Sequence, residues 1–236
     1  MVPGGSKGAG WAVIVEIIDL IDTSKENEAY EDQSMARGSA FGGLLKNKPL
    51  VGGGYNSLLG GFLQDCKIHC HPDNPSIKML DRRFQSSCVV INQTKLYVTG
   101  GCIGIGKKST EILSLDQFPV KGPELPFSVY SHSMVQINSK TIYLIGGWQD
   151  RVTSNKTWII NPINNLDMSS GPNLNEAREW HSCNKMKING KIILVVAGGK
   201  NKCKYTQRNR TMNSVELLDT TSANQGWIKG MNSFHV

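Results

Sequence analysis

An all-β fold of repeated four-stranded units is what the sequence predicts, and three observations predict it. Double glycines recur at Gly4-Gly5, Gly53-Gly54, Gly100-Gly101, Gly146-Gly147 and Gly198-Gly199, at intervals of 49, 47, 46 and 52 residues. Short β-favouring runs end at these pairs, over residues 96–99, 142–145 and 192–196, with a shorter version over 49–51. Helical periodicity is not found along the chain.

Each unit opens with a hairpin. Upstream of the long runs lie further apolar runs at residues 88–91, 134–137 and 183–188. The linkers are Asn92-Gln93, Asn138-Ser139 and Asn189-Gly190, and Asn tolerates the positive φ that tight hairpin turns need. After each glycine pair comes a loop and then a third strand. Residues 110–115 end in Asp116, 157–160 in Asn161-Pro162, and 215–218 in Asp219. Residues 15–18, ending in Asp19, fit the same slot eleven residues beyond Gly5, and residues 64–68 fit it in the following unit. A fourth strand is weakly marked, at residues 227–229 and 76–79. Glycine lets the second strand end close to its neighbours, where side chains would collide.

Four antiparallel strands repeated around an axis describe a propeller blade, and a period near 50 is the kelch spacing. The units resemble kelch repeats in their residues as well. Arg178, His181, Cys183, Gly198-Gly199, Glu216, Asp219 and Trp227 follow that family's pattern nearly completely. Arg83, Cys88, Gly100-Gly101, Glu111 and Asp116 follow it without the late Trp. Arg37, Gly53-Gly54 and Cys66 match loosely, and the third unit keeps His132, Tyr143, Gly146-Gly147 and Trp158 with no Arg before the His. The resemblance implies one kelch-type β-propeller domain over residues 1–236. Its four complete blades would lie near 35–80, 81–127, 128–177 and 178–232, with a partial blade at 8–34. Kelch propellers usually have six or seven blades, so the expectation is an incomplete propeller on a partial chain, with an unpaired edge.

Composition narrows the function classes. Hydrophobic residues are 39% and charged residues 19%, a globular balance and not a disordered one. No apolar run approaches the roughly 18 residues of a membrane span. The net charge of +7 favours acidic partners, and no zinc-finger, homeodomain or RNP-like pattern points to specific nucleic acid. His69 and His71 beside Cys66 and Cys70 have the spacing of a metal cluster, but no second pair lies nearby, so no metal or other cofactor is expected. His132 and His181 recur at one repeat position, which argues for a structural role. No nucleophile elbow, P-loop or H-E-x-x-H occurs, and the glycines from 100 to 106 follow a hairpin strand with no helix after them. The chain is therefore not expected to be an enzyme. Cys88 and Cys183 read as buried small apolar residues. Three N-glycosylation sequons, at Asn92, Asn155 and Asn209, are no more than chance supplies in a chain rich in Asn, Ser and Thr. The cytoplasm is the favoured compartment, with secretion as the alternative.

The most distinctive segment is the loop after Gly199, where five of the eleven residues from 200 to 210 are basic. With the loop after Gly147 it offers Trp148, Arg151, Lys200, Lys202, Lys204, Tyr205, Arg208 and Arg210 as partner-binding residues. The function expected is a protein-interaction scaffold or adaptor that binds an acidic protein or peptide through these loops. A substrate-recognition part of a ubiquitin ligase and a propeller enzyme of unknown reaction are the alternatives.

Overall fold

A computed structural model describes residues 36–46, 48–68, 76–202, 209–222 and 226–230. It also describes the short strands Ser6–Lys7, Gly10–Trp11, Ile14–Ile17 and Glu28–Glu31. Four antiparallel four-stranded sheets dominate. The first holds Phe41–Leu45, Lys48–Gly52, Asp65–Ile68 and Ser76–Lys78. The second holds Ser87–Ile91, Lys95–Thr99, Thr110–Ser114 and Val120–Lys121. The third holds Ser133–Asn138, Thr141–Ile145, Thr157–Asn161 and Asp167–Ser170. The fourth holds Ser182–Ile188, Lys191–Ala197, Val215–Asp219 and Ile228–Lys229. In each, the strands pair in chain order. The only helix among the described residues is the 3-10 turn Ser57–Leu59.

The hairpin turns follow the sequence. Asn189 and Gly190 take φ of 49° and 80°, a two-residue turn closing Ile188 on Lys191. Asn92 and Gln93 take φ of 52° and 57° in a three-residue turn closing Ile91 on Lys95. Alternation along the strands then places apolar side chains on both faces of each sheet. Leu45, Leu50 and Cys66 of the first sheet pack on Leu96, Val98 and Leu113 of the second. Val89, Ile91 and Tyr97 pack on Met134, Ile142 and Leu144 of the third. Val135, Tyr143 and Ile145 pack on Leu194, Val196 and Leu218 of the fourth.

The repeated Arg and Glu form the joints of these units. Arg83, fully buried, puts Nε 2.7 Å from Glu111 and donates through Nη1 to the carbonyl of Ser109 at 2.8 Å and to that of Gly100. Arg178 makes the corresponding set with Glu216, Gly198 and Ser214 at 2.8, 3.0 and 3.1 Å. Glu216 in turn accepts from the backbone N–H of Asn175 and Glu176, as Glu111 does from Leu80 and Asp81. A buried carboxylate is tolerated only when it is paired and hydrogen-bonded. Each of these two is, so the third strand is tied to the chain that leads into its own unit. The third unit lacks both partners: Val129 stands in the Arg position, and Trp158, stacked on Phe127 at 4.9 Å, in the Glu position.

The glycine pairs join one unit to the next. The N–H of Gly54, Gly101 and Gly147 donates to the carbonyls of Arg83, Val129 and Arg178 at 2.7, 2.8 and 2.8 Å. Gly100 has φ of +58°, and a Cβ there would lie 2.2 Å from the Val129 carbonyl oxygen. A second set of links runs between the segments that lead into the first strands. Ser39, Gln85, Ser131 and Trp180 occupy equivalent positions, all with φ between 53° and 59°. Gln85 N–H donates to Ser39 O, Ser131 N–H to Gln85 O, and Trp180 N–H to Ser131 O, at 3.0, 2.8 and 3.0 Å.

The expectation of a kelch-type propeller is corrected at this level. The described strands form nine separate antiparallel sheets, and none is closed into a barrel or ring. The large sheets meet face to face in chain order, and the series ends on an open face of the fourth. Sequence periodicity reports the four-stranded unit because its contacts are local. Closure would need contacts between the two ends of the series, and no motif encodes those.

Candidate ligand-binding cleft

Two kinds of repeated segment meet at one end of the stacked sheets: the lead-in to each first strand and the loop after each glycine pair. Short bridges pair them in every unit, Gly38 with Tyr55, Phe84 with Cys102, Tyr130 with Trp148, and Glu179 with Lys200. Between them lies a cleft of about 430 Å³, lined by Phe62, Phe84, Gln85, Cys102, Gly104, Tyr130, Trp148, Glu179, Trp180, Lys200 and Lys202.

One wall is aromatic. Phe62 and Phe84 lie 5.8 Å apart between ring centroids, and Tyr55 meets both edge-on, at 5.2 and 6.3 Å. Tyr130 lies 6.3 Å from Trp148. The cleft also carries charge. Lys200 Nζ sits 5.4 Å over the Trp180 ring and Lys202 Nζ 5.3 Å over Trp148, within the range of cation–π attraction. Lys200 Nζ is also 3.8 Å from Glu179 Oε1, a loose pair that leaves the ammonium donors for another acceptor. Burial holds the Glu179 carboxyl above the usual carboxylate range, against the opposing pull of Lys200 and Lys202. Gln85 also lines the cleft. The hydroxyl of Ser131 donates to its Oε1 at 2.9 Å and the Cys102 thiol does so at 3.9 Å. These two contacts orient the amide, and among the described residues no group pairs with its NH2.

Of the residues expected to bind a partner, Trp148, Lys200 and Lys202 are brought together here. Arg151 sits in the turn between Trp148–Gln149 and Val152–Thr153, and Arg210 is exposed in Asn209–Thr211, which pairs with Lys200–Lys202. Lys204, Tyr205 and Arg208 lie outside the described residues, as do His69, Cys70 and His71. Cys66 is buried, and its thiol is pushed well above the ordinary value by that burial. Among the described residues no three His, Cys, Asp or Glu side chains gather to hold a metal. His132 and His181 lie away from the cleft lining. Their Nε2 atoms meet Thr99 Oγ1 at 2.8 Å and Ser133 Oγ at 2.7 Å in the preceding sheet. Burial lowers both imidazoles to about 3, so they are neutral and serve packing.

Sequence reasoning missed Phe62, Phe84, Gln85, Tyr130, Glu179 and Trp180. Five of these sit in the two positions just after the unit-opening Arg, or its Val129 counterpart, so aligning the units on that residue would have exposed them.

No protein-family model matches the chain, and no curated protein matches it. Among solved structures it is similar to one described as "Structure of YjhT", with a TM-score of 0.74 at 14% identity, covering 97% of this chain and 84% of that one. At this identity the likeness is one of fold alone. The expected interaction scaffold or adaptor rested on a kelch propeller that the separate sheets do not form, and neither it nor the ligase and propeller-enzyme alternatives is retained. No helix among the described residues is long and apolar enough to cross a membrane.

Proposed function

We propose that the cleft binds a compact acidic ligand with a flat apolar face. The observation that carries this reading is the pairing of Lys200 and Lys202 with an aromatic wall inside one concavity of about 430 Å³, the size of a small-molecule site. The aromatic faces would hold the apolar part by stacking. The lysines supply charge-assisted donors, and the free NH2 of Gln85 supplies a neutral one. The concavity favours a small molecule over the acidic protein partner expected from the loops, because Lys200 and Lys202 point their ammonium groups over rings that line the cleft. The reading is one of binding, and no reaction is assigned to it.

The test is a fluorescence titration reading Trp148 and Trp180, with 2-naphthoate as probe and the neutral 2-naphthalenemethanol as its control. Naphthoate should quench the tryptophans and the alcohol should bind at least about tenfold more weakly, since a charge-assisted hydrogen bond is worth about 1.5–3 kcal/mol. The Lys200→Ala/Lys202→Ala variant should erase that preference. Equal binding of acid and alcohol to the parent protein would refute the reading.

A further inference from the structure

The cleft changes character along its length. The units pack on one another in chain order, so the lining runs from Phe62 of the first unit and Phe84 of the second to Trp180 and Lys200 of the fourth. The first two units contribute no charged side chain to it. The charged lining residues, Glu179, Lys200 and Lys202, all come from the fourth. Phe62 and Phe84, 5.8 Å apart, share Tyr55 as an edge-on neighbour and form an apolar end. Trp148 and Trp180 lie beneath the two ammonium groups and form a cationic end.

Gln85 lies where these halves join. It belongs to the second unit, and the Ser131 hydroxyl that donates to its Oε1 at 2.9 Å belongs to the third. Its main chain is tied on both sides as well. The N–H donates to Ser39 O at 3.0 Å, and the carbonyl accepts from Ser131 N–H at 2.8 Å. Ser131 and Cys102, whose thiol also meets Oε1, are only 8% and 9% exposed, so both donors are held in place. Of the four residues at this repeat position, Ser39, Gln85, Ser131 and Trp180, Gln85 alone carries an amide. Its NH2 is thus a fixed donor between an apolar end and a cationic one. Such a donor binds an acceptor with little cost of ordering. A ligand that covers it without supplying an acceptor leaves it desolvated and unpaired.

We infer that Gln85 is a specificity-determining residue, and that the ligand has three parts in line: an arene at Phe62 and Phe84, a neutral carbonyl at the Gln85 NH2, and a carboxylate at Lys200 and Lys202. This rests on the reading of the cleft as an acid-binding site and narrows its ligand. Aryl keto acids and N-aroyl amino acids have the three parts, and an acid whose carboxylate is joined directly to its ring lacks the middle one.

Calorimetric titration with two acids that differ in one group tests this. One is 4-(2-naphthyl)-4-oxobutanoate, which has the ketone, and the other is 4-(2-naphthyl)butanoate, which has a methylene in its place. The parent protein should bind the keto acid about fivefold more tightly, the effect of one neutral hydrogen bond, and Gln85→Leu should bring the ratio to about one. In the parent complex the infrared stretch of the ketone should move to lower frequency, a readout that needs no variant. Phe62→Ala should weaken both acids alike. Equal binding of the two acids by the parent, with 2-naphthoate still preferred over 2-naphthalenemethanol, would overturn the three-part ligand and leave the acid-binding cleft intact. Loss of the 2-naphthoate preference as well would overturn both. A keto-acid preference that survives Gln85→Leu would also overturn the inference, as would a Phe62→Ala protein that binds both acids as the parent does.

Discussion

Acid should unfold this protein well above the pH at which its carboxylates protonate, and the cause is a pair of histidines. His132 and His181 are buried, neutral and lowered from an ordinary value near 6.5 to about 3. In the unfolded chain both take up a proton near pH 6.5. Between that pH and about 3 the unfolded state binds more protons than the folded one, so stability rises with pH and is lost as pH falls. For one histidine the loss between pH 7 and pH 5 is about 2 kcal/mol, from the full slope of about 1.4 kcal/mol per pH unit below 6.5. The two together give about 4 kcal/mol, a large share of the ~5–15 kcal/mol that holds a domain folded. His181 also lowers the tendency of His132 to charge. The assay is urea unfolding at half-unit steps from pH 7 to 5, for the parent and for His132→Asn/His181→Asn. The variant should be weaker at pH 7, having lost the hydrogen bonds to Thr99 and Ser133, and its stability should change little on acidification. Parallel pH slopes for the two proteins would refute the reasoning.

Three further outcomes follow from the same geometry. Glu216→Gln removes the buried charge partner of Arg178, leaving it only the more distant Glu176 carboxylate at 3.7 Å, and should cost about 3 kcal/mol, whereas Arg178→Leu/Glu216→Leu should recover part of that loss; chemical denaturation of the single and double variants measures the difference. Gly100→Ala drives a Cβ to 2.2 Å from the Val129 carbonyl and should cost about 2–4 kcal/mol, against about 1 kcal/mol for Gly190→Ala, where φ is +80° but the space is open; thermal melts of both variants decide it. Binding of 2-naphthoate should strengthen as acidification protonates Glu179, whose carboxyl burial holds above its ordinary value, because the residue then ceases to compete for Lys200, and Glu179→Gln should flatten that dependence in the same fluorescence titration.

The local architecture was readable in the sequence because its determinants are local. The glycine pairs, the Asn turns and the alternating runs each act within about fifty residues, and the four sheets begin and end close to where those marks fall. The arrangement of the sheets was not readable. Whether Met186 meets another sheet or stands open depends on residues far away in sequence, and its apolar character is the same either way. The cleft was half legible. Trp148, Lys200 and Lys202 drew notice because a basic run with a nearby Trp is conspicuous. Phe84, Tyr130 and Glu179 did not, because they are three different residue types at one structural position and share no pattern of composition.

That shared position separates what is repeated for structure from what varies for function. Arg37, Arg83 and Arg178 open three units and are buried to 2%, 0% and 0% exposure. Each donates to the carbonyl of a glycine that ends its second strand. They recur because the same joint must be built each time. Where the third unit gives up the Arg it also gives up the Glu, putting Val129 and Trp158 in their places, and it keeps the joint by apolar packing around Phe127. Losing the Arg alone would have left the Glu buried and unpaired, whereas the first unit, with no Glu at that position, keeps its Arg37 paired with Asp65. One residue further along, the constraint vanishes. Gly38, Phe84, Tyr130 and Glu179 share a backbone pairing with the loop beyond the glycines, but the side chains of Phe84, Tyr130 and Glu179 line the cleft and have no common partner. A position with a fixed backbone and a free side chain is where a repeated fold can differ from unit to unit without loss of stability. The three of these residues that line the cleft, with Trp180 beside Glu179, are therefore the first to vary in a search for what this protein binds.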